Sequence, residues 1–178
     1  MIVALAGLPG SGKSFLAEEI LRRNPGFVLF NKDTVRDVLF PKGLTDFSSA
    51  QNDLCMQVIF QAIEYLLAKD PKHVIFIDGR TFSSKKQVDV LLEFVNRIHA
   101  PCKFVYCTCS EETARVRIVK DQDQHLAKNR DMDLYYSLKK NAEPLTVPFL
   151  QLETDNPELL DERVERVLAY IGMSESGE

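Results

Sequence analysis

No apolar run in the chain approaches the roughly 18 residues that a membrane-spanning helix needs. The run near the N-terminus, Ile2 to Ala6, is too short for the core of a signal peptide and has no basic lead-in. A cytoplasmic protein is the expectation. Positive charge is not in excess either: 22 Lys and Arg stand against 26 Asp and Glu, a formal net charge of −4. The global basic field that drives tight, non-specific nucleic-acid binding is therefore missing. Cysteine is sparse, with Cys55, Cys102, Cys107 and Cys109 alone. No C-x-x-C or H-x-x-x-H pair accompanies them, so zinc is not expected, and without a secretory signal neither are disulfides. No repeat, low-complexity tract or linker divides the 178 residues, so one domain spanning 1–178 is expected.

What is present is concentrated in residues 7 to 14, G-L-P-G-S-G-K-S. The apolar run Ile2 to Ala6 precedes it and a helically spaced segment, Phe15 to Leu21, follows. Strand, glycine loop and helix form the context that the phosphate-binding pattern G-x-x-x-x-G-K-[ST] requires. Glycines let consecutive N–H groups turn inward on phosphate oxygens, backed by the positive end of the helix. Lys13 can reach the β- and γ-phosphates, and the Ser14 hydroxyl can ligate Mg²⁺. A bound nucleoside triphosphate follows. Its site is assigned to Gly7, Leu8, Pro9, Gly10, Ser11, Gly12, Lys13, Ser14 and Phe15.

Further strands are expected at Phe27–Phe30, Val74–Ile77, Cys102–Thr108 and Val147–Leu152, each a short apolar run. Helical spacing lies between them. A long helix after Ser48 or Ser49 shows the stripe Leu54, Val58, Ala62, Leu66, read as core, with Ile59 and Ile63 beside it. Ser110 and Asn156-Pro157 read as helix starts. The polar run 121–133 has no apolar period and reads as a mobile flap or a solvated helix end. Alternating strands and helices imply an α/β fold, a roughly five-stranded parallel sheet covered on both faces. Ligands in such sheets bind beyond the carboxyl ends of the strands. The phosphate loop, Asp33 and Asp78 all fall there.

Two absences narrow the chemistry. The N-K-x-D signature of guanine readers does not occur, since Asn31-Lys32-Asp33-Thr34 is in the wrong register. Asp78 is followed by Gly79 rather than by an acidic residue to activate water. Transfer of a phosphoryl group to a bound hydroxyl remains. Such transfer needs charge cancellation and an aligned acceptor. Asp33 is placed to accept the hydroxyl proton, with a helix N-cap as its alternative. Arg36 lies on the same helical face and could pair with an anionic substrate group. Arg80 could bind substrate or cap a helix.

On these residues the chain resembles the P-loop kinases of the adenylate-kinase-like group, across nearly its whole length. The loop together with N31-K-D-T-V-R36 looks like the kinase module of polynucleotide 5′-hydroxyl kinases. F76-I-D-G-R-T81 is similar to the D-G-F-P-R-T segment of adenylate kinases, without the Phe-Pro pair. The stretch from His125 and Arg130 to Tyr135, with Glu143-Pro144 and Leu152–Asp155, looks like adenylylsulfate kinases. The resemblance implies that Asp78 serves the Mg²⁺ site and that Arg117 contacts nucleotide. It also implies that Arg130, on a flap, closes on the phosphates. Arg115 is expected to be solvated.

The combined expectation is an ATP- and Mg²⁺-dependent phosphotransferase acting on a small-molecule hydroxyl. Lys13, Asp33 and Arg130 carry the chemistry, while Arg36, Asp78 and Arg80 serve the acceptor side. A polynucleotide 5′-hydroxyl kinase and a non-catalytic nucleotide switch stay open as alternatives.

Overall fold

A computed structural model describes residues 1–41, 43–121 and 131–173. The apolar runs become one parallel sheet: β1 (Ile2–Ala6), β2 (Val28–Asn31), β3 (Ile75–Asp78), β4 (Cys102–Thr108) and β5 (Phe149–Glu153), in the order β2-β3-β1-β4-β5. Every residue of β1 is buried, as a central strand with both faces covered demands. Strand β2 departs from expectation. Its residues are all half-buried, because it forms an edge with β3 as its only neighbour.

Alternation along the strands sends side chains to two separate cores. Ile2, Ala4 and Ala6 meet Ile75, Ile77 and helices α3 (Ser49–Lys69) and α4 (Lys85–Arg97). Val3, Leu5 and Phe76 meet α1 (Lys13–Arg23) and α7 (Leu160–Tyr170) on the other face. Buried side chains such as Leu16 and Ile20 each contribute about 1.5–3 kcal/mol through removal from water. Short α2 (Lys32–Leu39) follows β2 directly, and α5 (Glu111–Asp121) packs on α6 (Met132–Lys140) through Ala114, Ile118 and Tyr135.

The buried stripe of α3 differs from the one read in the sequence. Cys55, Met56, Ile59 and Ile63 face the sheet, whereas Leu54 is 45% exposed. The helix is apolar on more than one side, so the i, i+4 series from Leu54 competes with the one from Cys55, and contact with β1 and β3 selects the latter. Helix starts are set by side-chain caps: Asn31 for α2, Ser48 for α3, Ser84 for α4 and Asp131 for α6. Asn156 caps a 3₁₀ turn, Pro157–Leu159, that leads into α7. Among the described residues no helix is long and apolar enough to cross a membrane. All four cysteines are free.

Candidate functional site

The glycine loop runs from β1 into α1, which starts at Lys13. Gly12 sits at the helix head in the left-handed region, and no side chain caps the first-turn N–H groups. Those donors, at the positive end of the helix, are available to an anion. The Lys13 ammonium turns into the loop, donating to the carbonyls of Gly7 (2.7 Å) and Leu8 (2.9 Å) and to Ser11 Oγ (3.3 Å). The loop must stay free of side chains on its outer wall. A Cβ on Gly10 would lie 2.8 Å from the Ala114 carbonyl oxygen, and Gly10 has φ +79°.

Three contacts hold that loop from outside. Gly7 N–H donates to the Thr81 carbonyl at 2.9 Å. Arg117 Nη1 donates to Gly10 O (3.1 Å) and Thr154 Oγ1 (3.0 Å), and its Nη2 to Thr154 O (2.6 Å). The buried Thr154 hydroxyl donates in turn to Ser11 O at 3.0 Å. Arg117 thus clamps loop backbone to the segment after β5.

Across the crevice, Asp78 ends β3 with no exposure to solvent. Its Oδ2 accepts from Asn31 Nδ2 at 2.9 Å, while its Oδ1 is buried and has no hydrogen-bond partner among the described residues. The other end of Asn31 caps α2, Oδ1 accepting from Asp33 N at 2.8 Å. Asp33 is therefore in the first turn of α2 rather than at its cap. Its carboxylate pairs with Arg36 Nη1 at 2.6 Å and Lys32 Nζ at 3.1 Å. Burial alone would raise its pKa, but Lys32 and then Arg36 outweigh burial and hold it below the usual carboxylate value. Burial pushes Lys32 down in its turn, against the raising effect of Asp33.

A cavity of about 310 Å³ collects Lys13, Ser14, Asp33, Arg36, Asp78 and Arg80 on one wall or another. Pro9 also lines it. Arg36 is buried; its terminal nitrogens bond Asp33 and Asn52 Oδ1, Phe47 lies over its guanidinium, and its Nε is buried with no hydrogen-bond partner among the described residues. Among the described residues Arg80 caps no helix; it pairs with Asp53 at 2.8 Å. Arg117 lies on the outer side of the loop rather than in this cavity. Phe15 is 61% exposed and Leu8 packs towards Ala114 and Ile118. Arg115 is on the surface as expected, bonded to the Tyr136 hydroxyl at 2.7 Å. His125, Arg130 and most of the expected flap lie outside the described residues.

Sequence reasoning missed Asn31 and Asn52. Lys32 Nζ donates to Asn52 Oδ1 at 3.0 Å, so Asn52 on α3 ties together both cations that hold Asp33.

Known proteins place this geometry. The chain matches the AAA domain family over residues 2–144. No curated protein matches it in sequence. Among solved structures, the APS kinase CysC of Mycobacterium tuberculosis, in complex with AMPPNP and APS, superposes with TM-score 0.71 at 18% identity, covering 96% of each chain. A gluconokinase of Sinorhizobium meliloti gives 0.66 at 17% identity, over 96% of this chain and 90% of that one. Kti12 of Chaetomium thermophilum, in complex with ADP-AlF3, gives 0.65 at 16% identity, over 99% and 100%. The fold is the one these P-loop proteins share, and with most of its length matched the chain belongs to the AAA domain family.

Proposed function

We propose that the protein is an ATP- and Mg²⁺-dependent phosphotransferase that moves the γ-phosphate to a hydroxyl of a small molecule. The observation that carries this reading is the meeting of Lys13, Asp33 and Asp78 around one cavity of about 310 Å³, within the range of small-molecule sites. A fully buried carboxylate oxygen on Asp78 and the head of α1, neither met by a side chain among the described residues, fit a metal-nucleotide complex. Asp78 and the Ser14 hydroxyl would hold Mg²⁺, which when bound draws negative charge off the phosphates.

The remaining work falls to side chains. Lys13 leaves the loop carbonyls for the β- and γ-phosphates, and the N–H groups of Gly10, Gly12, Lys13, Ser14 and Phe15 cradle the chain of phosphates. Arg117 fixes the shape of that cradle at the nucleotide side. Arg130 is the proposed cation closing on the γ-phosphate. Asp33, kept ionised by Lys32 and Arg36, accepts the acceptor hydroxyl proton as the new O–P bond forms and the bond to ADP breaks. A lowered pKa makes Asp33 better at orienting the hydroxyl than at removing its proton early. Arg36 positions Asp33, and Arg80 serves the acceptor.

The test follows labelled γ-phosphate from ATP into pooled metabolites and into 5′-hydroxyl oligonucleotides, with Asp33→Asn beside the wild type. Label in the metabolite pool, lowered about 10²- to 10⁴-fold by the substitution, is expected. Label in the oligonucleotides instead would select the polynucleotide alternative. A second reading, a nucleotide-dependent switch, draws support from the pairing of Asp33 with two cations, since a structural ion pair needs no acceptor. ATP binding without transfer to either pool would favour it.

A further inference from the structure

We propose that the acceptor carries an oxyanion group, bound at the end of the cavity formed by Arg80, Lys86 and the first turns of α3 and α4. The inference rests on the phosphotransferase reading of the site. The cavity opposes the chain in sign. The protein has a net charge of −4, yet the described residues lining this space beyond Lys13 include Lys32, Arg36, Arg80 and Lys86. Asp33 and Asp53 are the carboxylates facing them once Asp78 is set aside for the metal.

Most of that charge is already paired. Asp33 absorbs Lys32 and Arg36. Asp53 alone answers Arg80, at 2.8 Å, and Lys86, at 3.8 Å. Four cationic groups thus share two carboxylates, an excess of two positive charges. The Arg80 side chain is only 12% exposed, and its Nη1 is buried without a hydrogen-bond partner among the described residues. A guanidinium nitrogen seldom stays so in a folded interior unless another molecule answers it.

The backbone adds to the field. Ser49, at the head of α3, and Lys86 and Gln87, in the first turn of α4, all line the cavity, so two positive helix ends converge there. A neutral polyol would leave Arg80 Nη1 unanswered. A phosphate, sulfate or carboxylate placed away from the reacting hydroxyl would satisfy it and share Lys86 with Asp53.

The test separates anion binding from transfer. With the nucleotide loop saturated by AMPPNP and Mg²⁺, sodium sulfate is titrated at constant ionic strength while thermal unfolding is followed. Saturable stabilisation is expected in the wild type. Arg80→Gln should weaken it about tenfold or more, as loss of a buried charge-assisted bond does. Lys86→Gln, at a side chain 78% exposed and so harmless to folding, should weaken it about two- to fivefold. Identical sulfate responses in all three proteins would overturn the inference. Glycerol and glycerol 3-phosphate are then compared as probes in the transfer assay. Transfer to the neutral probe alone would also overturn the anion site while leaving the phosphotransferase standing. A sulfate response lost in Arg80→Gln, with no transfer to any acceptor, would retain the anion site and sink the phosphotransferase.

Discussion

The same substitution, glycine to alanine, should act in opposite directions at two points in the chain. At Gly10 a new Cβ would lie 2.8 Å from Ala114 O and 2.9 Å from Ala114 Cα, both backbone atoms of α5. Neither can swing aside as a side-chain tip could. The residue also sits at φ +79°, where a side chain costs roughly 1–2 kcal/mol. Overpacking adds about 1–3 kcal/mol, so a loss of about 2–5 kcal/mol is expected. For a chain of this size that is a drop in Tm of roughly 4–20 °C. At Gly26 nothing lies within 4 Å of the built Cβ, and the residue is exposed in a turn without a left-handed φ. There alanine should add about 0.4–1 kcal/mol, by narrowing the unfolded ensemble. Urea and thermal unfolding of both variants give the two signs, and nucleotide titration should show weakened affinity for Gly10→Ala alone. A Gly10→Ala protein within about 0.5 kcal/mol of wild type would refute the close approach of the phosphate loop to α5.

Two other outcomes follow from the same structure. The folded-state pKa of Asp33 lies below its ordinary value of 3.8, so the unfolded chain takes up its proton first as pH falls. Its contribution to stability is complete above that value and lost as pH falls through the folded pKa. Urea titrations between pH 7 and pH 2 should therefore show a steeper acid loss in wild type than in Asp33→Asn, and parallel curves would contradict the ion pairs with Lys32 and Arg36. Thr154→Val keeps the shape of the side chain but strips its hydroxyl from Ser11 O and Arg117. It should cost about 1–3 kcal/mol in stability and loosen nucleotide binding, measured by calorimetry; unchanged affinity would show that the clamp does not shape the loop.

The strands and the phosphate loop were legible because their signals are local. An apolar run bounded by turn residues can be recognised without its neighbours, and Gly7 to Ser14 carries its own geometry in its glycines. Charge partners were not legible. Arg36 was expected to await a substrate anion, whereas Asp33 and Asn52 already occupy both its terminal nitrogens. Asn52 is 16 positions from Arg36 and 20 from Lys32, and nothing in residue spacing announces a contact made by folding α3 back on α2. The helix face of α3 failed for a related reason: two apolar stripes fit the helical period, and only docking to the sheet decides between them. Gly79 shows the opposite case, where a residue noted for a missing acidic neighbour proves to be required sterically. A Cβ there would meet Lys32 N at 2.9 Å.

Ser11 and Thr154 touch although 143 positions separate them. A growing chain makes its phosphate-binding segment early but gains the Thr154 clamp only after residue 154 has been synthesised and the edge strand β5 has docked on β4. The final shape of the loop is thus acquired late in folding, however soon the glycines emerge. An intermediate with β1 to β4 in place would hold the right residues and still lack the shape that makes them useful, so nucleotide would stabilise the finished molecule in preference to its predecessors.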